Sequence, residues 1–210
     1  MVQEIFSQFG ISAPPEKAAL FERYADLFLA YNAHTNLSAI RDREGVVTKH
    51  FADSAMLLNF EPLRGRMLDL GTGGGFPGIP LKILVNELSV TLLDSVSKKT
   101  KACDHFIAEL GLSNVRTVWG RAEDVVKIPG MRSSFDAVVS RATAYMPQVL
   151  EWAAPFVRVG GSIMLYKLPS EEELADGLPM AEKLGFELAR EHAYSFLGQE
   201  RRIFVFVRRK

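Results

Sequence analysis

The apolar positions of this chain change period near residue 66. Before that point they recur at helical spacing. Leu20, Tyr24, Leu27, Phe28 and Tyr31 fall on one face of a helix introduced by Ser12-Ala13-Pro14-Pro15-Glu16, where proline suits a first turn whose N–H groups have no partner anyway. A second helix is predicted over residues 43–58, with Val46, Val47, Phe51 and Met56 as apolar contacts and Arg41, Arg43, Lys49 and His50 on an exposed basic side. Residues 1–65 read as a helical cap.

From residue 66 onward, short apolar runs alternate with helical patterns, as βαβ units require. Strands are expected at 67–70, Ser89–Asp94, Val115–Trp119, 135–140 and 162–167, with helices at 97–110 and 148–157. An acidic helix at 170–184, an extended segment at Phe186–Phe196 and a final strand at 202–207 follow. The expected fold is α/β: a mostly parallel sheet over residues 66–210, helices on both faces, a late antiparallel hairpin, and the cap packed against it as one unit.

The stretch Met67-Leu68-Asp69-Leu70-Gly71-Thr72-Gly73-Gly74-Gly75-Phe76-Pro77-Gly78-Ile79-Pro80 organises the rest. It reads as strand, glycine loop and helix, a geometry in which backbone N–H groups approach a ligand at the carboxyl edge of a sheet. Gly73 and Gly78 have the spacing of a phosphate-cradling loop, but Ile79 stands where lysine is obligatory. Gly73-x-Gly75-x-x-Gly78, with Asp94 downstream, satisfies the dinucleotide pattern, yet here Gly71 ends the strand rather than the first glycine of that pattern. Asp69-Leu70-Gly71-Thr72-Gly73 instead resembles the first motif of S-adenosylmethionine-dependent methyltransferases with a Rossmann-like sheet. On that reading the strand ends bring Gly71, Gly73, Asp94, Ala122, Glu123 and Arg141 to one crevice. Asp94 would accept the ribose hydroxyls and Glu123 would meet the adenine edge, while Phe76 packs on the cofactor or on the sheet.

Charge and cysteine content narrow the partners. Lys+Arg 25 against Asp+Glu 25 gives no net attraction to nucleic acid, so such a partner must be met by a local patch. The single Cys103 excludes an internal disulfide framework, the N-terminal residues lack a basic and apolar leader pattern, and no apolar run is long enough to span a membrane. A cytoplasmic location is expected, with no metal site.

The chain resembles the bacterial ribosomal RNA small-subunit methyltransferase G family, also called glucose-inhibited division protein B. The matching residues are Tyr31-Asn32, Asn36-Leu37, Arg41-Asp42, His50, Asp53-Ser54, the glycine segment through Leu81, Leu92-Leu93-Asp94-Ser95, Lys98-Lys99, Arg121-Ala122-Glu123 and Ser140-Arg141-Ala142. The resemblance implies S-adenosyl-L-methionine as cofactor, with contacts at Gly71, Phe76, Ala122, Glu123 and Arg141. It implies methylation of the N-7 ring nitrogen of one guanine in 16S ribosomal RNA, free or in a small-subunit particle. One departure is Lys167-Leu168, where Lys-Gly is expected after the fifth strand.

The residues agree with that chemistry. Cys103 falls within a predicted helix, away from where a cytosine-C5 nucleophile belongs, and Ser140-Arg141-Ala142-Thr143 replaces the Asn/Asp-Pro-Pro-aromatic loop of amino-group methyltransferases. Guanine N-7 already carries a lone pair, so no general base is expected and no catalytic residue is assigned. Arg41, Arg43, Lys49, Lys98, Lys99, Lys167, Arg201 and Arg202 are the candidate RNA contacts, with no oligomer required. Segment 170–191, with seven acids against two bases, is expected to face away. A non-catalytic cofactor-binding assembly factor and a small-molecule methyltransferase are the alternatives.

Overall fold

Strands β1 (Arg66–Leu70) and β2 (Ser89–Asp94) are buried along nearly their whole length, which suits parallel strands covered on both faces. With β3 (Val115–Trp119), β4 (Phe135–Arg141), β5 (Val157–Lys167), β6 (Phe186–Phe196) and β7 (Gln199–Arg208) they form one seven-stranded sheet. This computed structural model describes residues 1–209. The strand order is β3-β2-β1-β4-β5-β7-β6; β1 to β5 run parallel, and β7 is antiparallel to both neighbours. The chain winds outward in opposite directions from β1 and β4, so a crevice opens at their carboxyl ends.

Alternation along each strand sorts the core into two layers. Met67, Ile203 and Val205 join a cluster containing α5 (Gly78–Leu84), α6 (Ser97–Glu109) and the cap. Leu68, Phe204 and Phe206 join the other, with α7 (Ala122–Val125), α8 (Met146–Ala153) and α9 (Glu171–Lys183).

The cap comprises α1 (Val2–Gln8), α2 (Pro15–Thr35) and an irregular helical run. Tyr24 and Phe28 of α2 enter an aromatic cluster: Tyr24 stacks on Phe51 at 4.7 Å and Phe28 meets Phe76 at 5.3 Å. Tyr24 also donates its hydroxyl to Gly74 O at 2.9 Å, so the cap holds the glycine loop directly. The helix expected at 43–58 is present but not uniform. It passes from α3 (Arg43–Gly45) through a π-helical turn (Val46–Ala52) to α4 (Asp53–Ala55) and a 3₁₀ turn (Met56–Asn59). Such wide turns concentrate at functional sites, and this one carries Lys49 and His50. Where the chain leaves the cap, buried Glu61 accepts from Arg190 Nε at 2.6 Å and from His192 Nε2 at 2.7 Å, joining it to β6.

Several expected boundaries shift. The helix at 148–157 gives way to a 3₁₀ turn at Ala154, and β5 begins at Val157 rather than 162. Pairing with β4 jumps from Phe135↔Val157 to Ala137↔Ser162, so extra residues bulge out around Gly160-Gly161 and mask the strand pattern. The final strand starts at Gln199 rather than 202, because Leu197 and Gly198, at φ 52° and 75°, make a tight left-handed hairpin turn. Among the described residues no helix is long and apolar enough to cross a membrane, and no cluster of candidate ligands could hold a metal ion.

Candidate active site

Two cavities open at the carboxyl edge and share Gly71, Lys99 and Ala142 as a common wall. The smaller, about 280 Å³, lies between the ends of β1, β2 and β3 and is lined by Asp94, Val96, Ala122, Glu123 and Trp152 among others. The larger, about 580 Å³, extends across β4 and β5 to the cap and the late hairpin.

The glycine loop is built by main-chain geometry. Gly71 at φ 75° turns the chain out of β1 while the N–H groups of Gly71 and Thr72 both donate to Leu93 O, at 2.9 and 3.0 Å. A Cβ on Gly71 would lie 2.7 Å from Thr143 Cγ2, whereas one on Gly73, at φ 58°, would meet nothing within 4 Å. Gly71 is therefore pressed against the β4 loop, and Gly73 borders open space. Asp94 fixes the loop from β2: its Oδ2 accepts from Gly73 N at 2.9 Å and its Oδ1 from Val96 N at 2.9 Å, with Lys99 Nζ 3.7 Å away. Each carboxylate oxygen keeps a lone pair for a further donor.

Asp69 lies beneath this loop. Its Oδ2 accepts from Thr72 Oγ1 at 2.6 Å and Gly78 N at 2.7 Å, but Oδ1 is buried without a partner. Burial pushes its carboxyl up to about 7, against the pull of those donors and of Arg141. An acid whose proton is held more tightly in the fold than in the unfolded chain loses stability as pH rises through that interval. Asp69→Asn is therefore expected to raise the melting temperature of the ligand-free protein at pH 8 by more than at pH 5. Thermal melts at both pH values check this, and an equal gap at each would refute it.

On the larger cavity, Arg141 joins the sheet to the cap. Its Nη1 donates to Asp53 Oδ2 at 2.7 Å and Lys49 O at 3.1 Å, its Nη2 lies 3.4 Å from His50 Nδ1, and its guanidinium sits 5.6 Å from the Phe76 ring centre. His50 stacks on Phe76 at 4.4 Å and pairs through Nε2 with Ser38 Oγ at 2.8 Å. Because arginine only donates, Nδ1 is the acceptor and the proton rests on Nε2. Burial, with the Arg141 charge beside it, pushes the imidazole down to about 3, so His50 is neutral.

The residues anticipated from the sequence divide between the two spaces. Asp94, Ala122 and Glu123 line the smaller cavity, Gly73, Phe76 and Arg141 the larger, and Gly71 both. Of the basic candidates, Lys49, Lys99, Lys167 and Arg201 meet at the larger cavity. Arg41, Arg43, Lys98 and Arg202 do not line it. Arg43 is committed to Glu22, at 2.7 Å, and to Asp26; Arg202 pairs with Glu191, and Arg41 holds Asn32 O and Asn36. Lys98 is exposed on α6. The acidic helix does not face away as a whole. Its first turn brings Glu173 into the larger cavity, bonded to Lys167, because α9 packs on α8 through Gly177 against Met146. Asp53, Tyr166 and Tyr194 complete the wall, with Tyr166 Oη donating to Ser54 O at 2.6 Å; only Asp53 had a sequence signal.

A glycine loop after the first strand, an acid at the end of the second and a nucleoside-sized space between them are the means by which S-adenosylmethionine-dependent methyltransferases hold their cofactor. The fold agrees: the structure superposes on a SAM dependent methyltransferase from Aquifex aeolicus with TM-score 0.58 at 18% identity, covering 79% of this chain and 94% of that one. TYW2 of M. jannaschii, solved in complex with AdoMet, gives TM-score 0.58 at 18% identity over 71% of each chain. The protein is a methyltransferase that uses S-adenosylmethionine. Residues 17–204 match the family described as rRNA small subunit methyltransferase G, and the chain belongs to that family. It is 39% identical to the ribosomal RNA small subunit methyltransferase G of Carboxydothermus hydrogenoformans over 98% of this chain and 89% of that protein. The counterpart from Geobacillus thermodenitrificans is 38% identical over 99% and 89%.

Proposed function

We propose that this protein transfers the methyl group of S-adenosylmethionine to N-7 of a guanine in 16S ribosomal RNA, free or within a small-subunit particle. The cofactor supplies an electrophilic methyl carbon on a positively charged sulfur. The chain's own task is to hold the nucleoside part against Asp94 and Ala122 and to present the base in line from the larger cavity.

The carrying observation is that the histidine and the aspartate on the wall of the larger cavity are already engaged, and that Glu173 is tied through Oε1 to Lys167 and to the Met146 N–H. Both ring nitrogens of His50 have partners, and Asp53 is held by Arg141 and Tyr194. A nucleophile that must lose a proton would find neither His50 nor Asp53 free to take it, whereas guanine N-7 needs no acceptor. Cys103 is buried, its thiol directed to Gly73 O at 3.6 Å, which disfavours a covalent route through cysteine. Five cations at the cavity suit a polyanion better than a small apolar acceptor.

Incubating the protein with methyl-labelled S-adenosylmethionine and small subunits or 16S RNA is expected to place the label on guanine N-7, read by mass spectrometry of the nucleosides. Label on another atom, or none, would overturn the assignment. With RNA and cofactor saturating, the methyl-transfer step is expected to be nearly flat between about pH 6 and 9, and a single-proton rise in a quench-flow profile would contradict it.

The zero net charge makes RNA binding a matter of few contacts. Replacing Lys49 and Arg201 together by alanine is expected to flatten the salt dependence of RNA affinity by about one to two units, leaving cofactor affinity unchanged. Filter binding across a salt series measures this.

A further inference from the structure

The larger cavity carries an ion pair whose lysine has been counted only as a cation and whose glutamate has no assigned role. Lys167 ends β5 and Glu173 stands in the first turn of α9; they form an ion pair with side chains only 13% and 14% exposed. Ser170 caps this helix by accepting from Glu173 N at 3.1 Å, an arrangement in which the glutamate ordinarily reaches back to the cap residue's own N–H. Glu173 does otherwise. Its Oε1 takes the N–H of Met146 at 2.6 Å together with Lys167 Nζ, while Oε2 makes no hydrogen bond among the described residues. Lys167 spends its other bond on Ala144 O, which leaves one ammonium N–H free. The two side chains thus offer one fixed donor and one fixed acceptor beside each other. Leu168, 57% exposed, lines the same cavity next to them.

We propose that Lys167 and Glu173 read the target base as guanine, Lys167 donating to O6 and Glu173 Oε2 accepting from N1–H and the 2-amino group. The inference rests on the N-7 reading and extends it to specificity. Its warrant is position as well as chemistry. The glycine loop leaves β1, and β5 lies two strands away across β4, about 10 Å at ordinary strand spacing, which is roughly the span of a purine with its contacts. The N1/2-amino edge lies across guanine from N-7, with O6 between the two on the ring perimeter, so a base that turns N-7 toward the β1 loop turns N1 and the 2-amino group toward Glu173 and leaves O6 beside them for the Lys167 ammonium. Adenine in that pose would set its 6-amino group against the ammonium and its N1 lone pair against the carboxylate. The same pair therefore accepts one purine and repels the other. Leu168 supplies an apolar contact for the ring face, which a glycine at that position could not.

The test first maps the methylated nucleotide with the wild-type protein, then uses small-subunit RNA transcripts carrying guanosine or inosine there. Inosine keeps O6 and N1–H but lacks the 2-amino group. The wild-type protein is expected to favour guanosine at least about tenfold in kcat/KM. Glu173→Gln keeps an oxygen for the Met146 N–H but sets an NH2 where Oε2 was. It is expected to lower kcat/KM for guanosine at least about 30-fold and to bring the guanosine-to-inosine ratio near one, with cofactor affinity unchanged. Lys167→Met is the second variant. It is expected to slow guanosine and inosine alike, since both carry O6, and to preserve their ratio. A guanosine-to-inosine preference that Glu173→Gln leaves at the wild-type value overturns the proposal. So does a Lys167→Met protein that methylates both substrates at wild-type rates. A wild-type protein that leaves guanine N-7 unmodified instead overturns the underlying reading, and does so in an arm that involves neither variant.

Discussion

Gly71→Val is expected to weaken S-adenosylmethionine binding by at least about 100-fold, close to 3 kcal/mol. A β-branched residue at φ 75° is strained by about 1–2 kcal/mol before it touches anything. Its Cβ would then lie 2.7 Å from Thr143 Cγ2 and 2.8 Å from Thr143 Oγ1, a hydroxyl already held by Ser140 Oγ at 2.7 Å. Relief requires moving either the β4 loop or the main chain whose two N–H groups share Leu93 O, and both moves deform the wall common to the two cavities. Gly73→Ala provides the contrast. Its Cβ meets no protein atom within 4 Å, so at φ 58° the melting temperature should fall only by the left-handed strain of about 1 kcal/mol, with no added clash, while cofactor affinity still falls. Calorimetric titration of both variants measures this. Unchanged affinity in both, or tighter binding of a nicotinamide dinucleotide, would show that this loop holds something else.

Arg141 gives the second large effect. Arg141→Ala removes one partner of a pair in which both side chains are 13% exposed, leaving Asp53 buried with only the distant Tyr194 hydroxyl at 3.4 Å. Breaking such a pair costs about 3–5 kcal/mol, so the variant is expected to melt well below the wild type. Arg141→Lys separates folding from function. Lysine keeps the charge and can hold Asp53, but one ammonium cannot also reach Lys49 O and His50 Nδ1 while covering Phe76. Its melting temperature should recover most of the loss while kcat/KM for RNA stays about 100-fold down, on the order of 3 kcal/mol. Steady-state kinetics beside a thermal melt resolve the two. Wild-type turnover in Arg141→Lys would mean that the guanidinium geometry has no part in the reaction.

What the sequence disclosed follows from how local each feature is. The glycine loop and Asp94 were legible because their geometry is set within a few residues: a chain that must adopt φ 75° and 58° announces it with glycine. The mostly parallel sheet with its late antiparallel hairpin followed from strand and helix alternation. The larger cavity was harder because its wall is assembled across long separations. Asp53 of the cap meets Arg141 of β4, and Tyr194 reaches Asp53 only after the hairpin sets its register against β5. The acidic helix misled for a different reason. Counting its charges hid the one carboxylate that turns inward, which depends on Gly177 lying against Met146 rather than on composition.

The position of β7 between β5 and β6 bears on the order in which the protein becomes competent. During synthesis the β6–β7 hairpin leaves the ribosome after residues 70–152, which contribute every lining residue of the smaller cavity. Tyr194 and Arg201 of the larger cavity travel with that hairpin, and Tyr166 and Lys167 sit on the strand it must dock against. Every lining residue of the smaller cavity is thus synthesised before the last ones of the larger. The larger cavity gains its last wall only once the hairpin has paired with β5.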